Sequence, residues 1–200
     1  MNEDKIEGLW SWFYKNEQKI RDCVEQESAP FRDYIVQNLD DLILDLGMFS
    51  WAIGEGVHKK WSLTISPNGD KDLLEKSRRI IAGAPELVAW EFYFSKPAKE
   101  WDRKFVVYDD MMTEQQINAS DWKYVSTQKG DGMIDLILEA ENIGHLDVDT
   151  ANTAADLVVL NEIGEENKIV RISSVSIVDL LDSNNDNDKK NITELKNQIR

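Results

Sequence analysis

Residues 51–72, WAIGEGVHKKWSLTISPNGDKD, decide how this 200-residue chain folds. Trp51 and Ile53 alternate with polar or small neighbours, and so do Trp61, Leu63 and Ile65. That period of two belongs to strands with one buried face. The intervening GEGVHKK is polar and glycine-containing, so the pair reads as a β-hairpin with a long loop. SPNGD then turns the chain into a helix. Its apolar face is Leu73, Leu74, Ile80 and Ile81, and Gly83 to Pro85 ends it. ELVAWEFYFSK follows as a strand, with Val88, Trp90, Phe92 and Phe94 on one face, and KFVVYDD reads as a fourth.

The same order recurs downstream. DWKYVSTQ and GMIDLILEA form a second hairpin through KGDG, where Asp131-Gly132 supplies turn chemistry. A helix begins at about Asp149, with Ala154, Leu157, Val158 and Leu160 on its apolar side, and stops at Gly164. KIVRISSVSIVDL returns as a strand. Two strand-strand-helix-strand halves predict an α+β fold with a mostly antiparallel sheet of six or more strands and the helices on one face.

Upstream, Ile6, Leu9, Trp10, Phe13 and Ile20 draw an apolar stripe on a helix from Glu3 to Glu25. Phe31, Ile35, Leu39, Leu42 and Leu46 draw another, opened by Ser28 as N-cap and Pro30 and stopped at Gly47. The domain reading is therefore a helical pair (1–47) packed on an α+β domain (48–182, halves 48–110 and 120–182). A flexible acidic and polar tail (183–200) follows, within which ITELKNQIR forms at most one frayed helical segment.

Composition narrows the function. Thirty-eight acidic against 23 basic residues leave a net charge of −15. Such a field repels nucleic-acid phosphates and anionic membrane surfaces and favours a cationic protein partner. No apolar run approaches the ~18 residues that span a bilayer. The acidic start MNEDKIEG is unlike a secretory signal. One cysteine, Cys23, forms no intramolecular disulfide, and Asp22 and Glu25 beside it disfavour a reactive thiolate. The expectation is a cytoplasmic protein.

Motifs of chemistry are sparse. Gly54-Glu55-Gly56 lacks the third glycine of a dinucleotide fingerprint, and no Gly-Lys-Ser/Thr makes a phosphate loop. His58 and His145 stand alone in loops without metal-ligand spacing. No Gly-x-Ser-x-Gly elbow is present. No cofactor and no metal are expected. Asp109 and Asp110, at a strand end, are the carboxylates that a metal-dependent hydrolase or small-molecule enzyme would use, and that activity is the alternative to a binding role. Glu162, Glu165 and Glu166 crowd a helix end, where the helix dipole disfavours them. Trp10 and Trp12 lie nearly opposite one another on the first helix, so Trp12 is placed outward as an interface anchor. Trp12, Glu55, His58, Asp109 and Asp110 thus make up the candidate partner or ligand surface.

WAIGEGVHKKWSLTISPNGDKD together with IIAGAPELVAWEFYFSKP resembles a group of uncharacterised bacterial α+β proteins, and LNEIGEENKIVRI is similar to a helix end in the same group. The resemblance spans about 48 to 180. It implies a small α+β domain and assigns no catalytic residue. Some members look like parts of toxin-immunity systems, which implies a non-catalytic, immunity-like binding protein.

Overall fold

The computed structural model describes residues 3–26, 30–181 and 188–199. The chain has an α+β fold in two compact units, Met1–Lys96 and Pro97–Arg200.

In the first unit, α1 (Glu3–Glu25) buries Leu9, Phe13 and Ile20 of its stripe, and α2 (Arg32–Leu44) buries Ile35 and Leu39 of its own. Phe31, however, is 49% exposed, and Ile43, not Leu42, is the buried residue of the next turn. The expected Ser28 cap lies outside the described residues. β1 (Ser50–Glu55) and β2 (Trp61–Ser66) form the antiparallel hairpin, with Trp51 opposite Ile65 and Ile53 opposite Leu63. α3 (Lys71–Ala82) carries the chain back, so β3 (Trp90–Tyr93) runs parallel to β2, as a strand-helix-strand path dictates.

SPNGD does what its composition demands. Asn68 (φ 55°) and Gly69 (φ 78°) take left-handed conformations, and the Asp70 carboxylate accepts from the backbone N–H groups of Asp72 (2.7 Å) and Leu73 (3.1 Å). That is an N-cap, and it fills the helix N-terminus.

The pleat sorts side chains onto two faces. Trp61, Leu63, Ile65, Trp90 and Phe92 join the core of α1, α2 and α3. The Phe13 and Trp90 rings meet edge to face at 4.9 Å, and so do Trp10 and Phe92. Two of the three buried indoles of this core find acceptors, Trp10 at the Ile80 carbonyl and Trp90 at Glu17, each at 2.7 Å, while the Trp61 Nε1 has none among the described residues. Val88, expected on the buried side, is 98% exposed because the strand begins only at Trp90.

The second unit repeats the plan. β6 (Lys123–Gln128) and β7 (Ile134–Glu139) form a hairpin, α4 (Val148–Arg171) crosses over, and β8 (Ile172–Val178) lies parallel to β7. Ala151, Ala154 and Ala155 give α4 a small-residue side that seats it closely in the unit's core. Gly164 (φ 78°, ψ 159°) breaks α4 where the sequence placed a stop, but helical backbone resumes to Arg171.

Three features depart from expectation. Among the described residues the strands make three sheets of three, two and four strands rather than one of six or more. β4 (Lys104–Tyr108) pairs, among the described residues, only with β5 (Glu114–Asn118), a strand the sequence hides because Ile117 is its single apolar residue. Val107 and Ile117 pack into the core of the second unit, so KFVVYDD belongs there and not with residues 48–96.

The third departure corrects the tail. Lys190–Asn191 (β9) pairs with β6, and a 3-10 turn (Ile192–Glu194) leads into α5 (Leu195–Gln198). Ile192, Leu195 and Ile199 are buried. Three apolar residues at three- and four-residue steps suffice to pin a short segment, and the polar run before them masks that signal. The linker reading of 182–187 lies outside the described residues.

Candidate functional site

The loop of GEGVHKK is built around a carboxylate that the sequence did not single out. Glu91 on β3 accepts from three consecutive backbone N–H groups, those of Val57 (3.0 Å), His58 and Lys59, and from the Tyr93 hydroxyl. Consecutive N–H groups aimed at one point make an anion-binding nest. Here the anion is the protein's own. The Tyr93 hydroxyl, with the three backbone N–H groups, outweighs desolvation and lowers Glu91 to about 2. Tyr93 rises to about 12 through desolvation and the neighbouring carboxylate. Lys59 closes the loop by donating to the Leu87 carbonyl at 2.8 Å. Glu55 and His58 are exposed, and among the described hydrogen bonds the loop holds His58 by its backbone alone.

Two expected results follow. His58→Ala should change stability by less than about 0.5 kcal/mol, as an ordinary surface change does, in urea denaturation. The Glu91 carboxyl resonance should titrate near about 2, far below the ~4.3 of an unfolded glutamate. A lowered folded pKa stabilises above the unfolded value and loses that stabilisation as pH falls through the folded value. The protection of the 57–59 amides against exchange, taken relative to the intrinsic rate at each pH, should therefore fall only as pH drops from about 4.3 towards 2. Glu91→Gln should accelerate it at neutral pH.

Asp109 and Asp110 do not act as a pair. Asp109 organises the β4–β5 turn: one carboxylate oxygen accepts from the N–H groups of Met111 (3.0 Å) and Thr113 (2.7 Å), the other from the Gln115 amide (3.0 Å). The Thr113 N–H leads the contacts that hold its pKa below the usual range. Asp110 is exposed beside it. Among the described residues, no group of three or more His, Cys, Asp or Glu side chains is placed to hold a metal ion.

Trp12 is not a free anchor. It is half-buried, lies 6.5 Å from the Tyr34 ring of α2, and packs on the first core. The long stripe of α1 is wide enough for α2 to cover Trp12 as well.

Among the described residues Glu139, Glu162 and Glu165 are buried, and the first two are held by cations. Glu162 (1% exposed) takes the Trp101 indole N–H at 3.0 Å and the Arg103 guanidinium at 2.8 and 3.2 Å. Glu139 (3% exposed) meets Lys189 at 2.7 Å, Lys123 at 3.5 Å and the Leu181 N–H at 2.8 Å. Desolvation pushes Glu139 up, but Lys189, the Leu181 N–H and Lys123 together hold it below its ordinary value. Both belong to the architecture. The sequence singled out Glu162, within its acidic cluster near a helix end, but not Glu139, and the partners of both, Arg103 and Lys189 at 59 and 50 residues' distance, were not legible.

The β4–β5 ribbon presents a different chemistry. The Asp109 N–H donates to the Thr113 carbonyl (3.1 Å) and the Ala119 N–H to the Arg103 carbonyl (2.9 Å), which fixes the alternation of the ladder. Phe105, Val107 and Ile117 face inward. Val106 and Tyr108 face outward, opposite Gln116 and Glu114. Val106 is 41% exposed, Tyr108 58%, and the turn residues Met111 and Met112 are 86% and 76% exposed. This apolar ridge ends among Asp109, Asp110 and Glu114.

Comparison with protein-family models, with curated proteins and with solved structures returned no match. Among the described residues no helix is long and apolar enough to cross a membrane.

Proposed function

We propose that the chain is a non-catalytic cytoplasmic protein-binding domain that engages a cationic protein partner. The observation that carries this reading is the excess of 38 acidic over 23 basic residues on a chain that also exposes an apolar ridge ending among carboxylates. Aromatic and methionine side chains bordered by charge supply what a protein interface needs, a desolvated contact and a polar rim. The sharpest form of the reading is an immunity-type inhibitor of a basic toxin, because acidic inhibitors meet basic targets quickly through electrostatic steering.

The test is stopped-flow association with the protein partner captured from the native cell, across a salt series. Screening shortens the Debye length from about 30 Å at 0.01 M to about 3 Å at 1 M salt. The association rate should fall by about one to three orders of magnitude over that range. Reversing rim carboxylates should slow association more than it speeds dissociation. A salt-independent on-rate, or tight DNA binding at physiological salt, would overturn the proposal.

A further inference from the structure

We infer that the outward face of the β4–β5 ribbon is the seat of the partner, and that it takes an extended segment whose apolar side chains alternate with lysine or arginine. The inference rests on the reading that the partner is a cationic protein, and adds where that partner sits and what it presents.

The face is defined by the ladder. Val106 lies opposite Gln116 and Tyr108 opposite Glu114, with Lys104 and Asn118 at the far end. In such non-hydrogen-bonded pairs the side chains stand close together, about 4.5–5.5 Å between Cβ atoms. An apolar side chain laid over Val106 and Tyr108 is therefore within reach of Glu114 for its basic neighbour. The turn extends the ridge through Met111 and Met112, whose unbranched side chains adapt to varied partners. Met112 is held at φ 59°, and its N–H donates to the Asp109 carbonyl at 2.9 Å, so the apolar tip sits on an organised turn.

Charge selects the occupant. The ribbon carries one basic residue, Lys104, against Asp109, Asp110 and Glu114, and the three carboxylates gather at the tip end. An acidic segment would meet that cluster with like charge; a basic one gains it as a rim. Among the described residues each strand of the ribbon pairs with the other alone. At the far end the Asp102 carboxylate accepts from the Lys104 N–H and the Asn142 amide donates to the Asn118 carbonyl, so the tip half of each edge adjoins the face as further polar contact for an extended chain.

The probe is a fluorescein-labelled ten-residue peptide of alternating lysine and valine, compared with its glutamate-valine counterpart by anisotropy on the full chain. The lysine peptide should bind at least about tenfold more tightly, and amide shifts should concentrate in 104–116. Tyr108→Ser should weaken binding by about tenfold, and Glu114→Lys by a similar factor, with amide spectra otherwise retained. Glu75→Lys, an exposed reversal on α3, should leave the dissociation rate unchanged. Lysine-peptide binding that ignores Tyr108→Ser and Glu114→Lys overturns the seat while sparing the cationic-partner reading. Failure of the lysine peptide to bind, or equal binding of the acidic one, overturns both. A dimer of the chain itself that Tyr108→Ser dissociates overturns the seat, because the ridge would then be covered by a second copy.

Discussion

Replacing Arg103 with methionine should destabilise the second unit by about 3–5 kcal/mol, the loss expected when one partner of a buried ion pair is removed. Glu162 is 1% exposed, so without the guanidinium its charge is stranded. The Trp101 indole N–H, 3.0 Å away, remains as a neutral donor and offsets only part of that. The contact is ionic at Nε, which lies 2.8 Å from a carboxylate oxygen but does not aim its hydrogen there, and Nη2 reaches the other oxygen at 3.2 Å. Arg103 also sits at φ 62°, a left-handed conformation that costs a non-glycine residue about 1–2 kcal/mol.

The paired change separates that account from mere crowding. Arg103→Met with Glu162→Leu removes both charges, and such apolar replacements are often neutral or stabilising. The double variant should recover most of the loss, read as exchange protection of the Val158 and Val159 amides of α4. A double variant no better than Arg103→Met would show that the pair is not what holds this region.

The hairpins, most of the helix stripes and the SPNGD turn were legible because each depends on neighbours in sequence. Trp61, Leu63 and Ile65 alternate whatever lies beyond them, and SPNGD turns by its own backbone preferences. β5 was illegible for a physical reason: its outward face is polar (Glu114, Gln116, Asn118), and one apolar residue makes no period. The parting of the chain into two sheets and a ribbon depends on which strand finds which partner, a long-range choice that local patterns leave open. Of the five candidate surface residues, Glu55, His58 and Asp110 are exposed as expected. Asp109 is occupied in its own turn and Trp12 is half-covered by α2. Glu91 escaped notice because nothing local distinguishes a strand glutamate whose partners lie 32 to 34 residues earlier.

Ending the chain after residue 187 should abolish the cooperative fold of the second unit. A flexible tail could be removed at a change below about 0.5 kcal/mol. Here Ile192 and Leu195 are wholly buried and Ile199 nearly so, against the same core as Tyr124 and Leu138. Deleting one buried leucine or isoleucine side chain to alanine costs about 2–5 kcal/mol, and a whole domain is stable by only about 5–15 kcal/mol. The truncation also removes the β9 pairing, the Tyr124 hydroxyl's partner Gln198 at 2.6 Å, and Lys189, whose ammonium meets the buried Glu139. A graded series guards against simple misfolding. Asn191→Ala, which deletes the capping box with Glu194, should cost about 1 kcal/mol. Leu195→Ala should cost about 2–5 kcal/mol, and Ile192→Ala with Leu195→Ala less than the sum of the singles, because neighbours share one cavity. Exchange protection at Leu136 and Leu138 should fall in that order. Unchanged protection in the truncated chain would return residues 188–199 to the status of a tail.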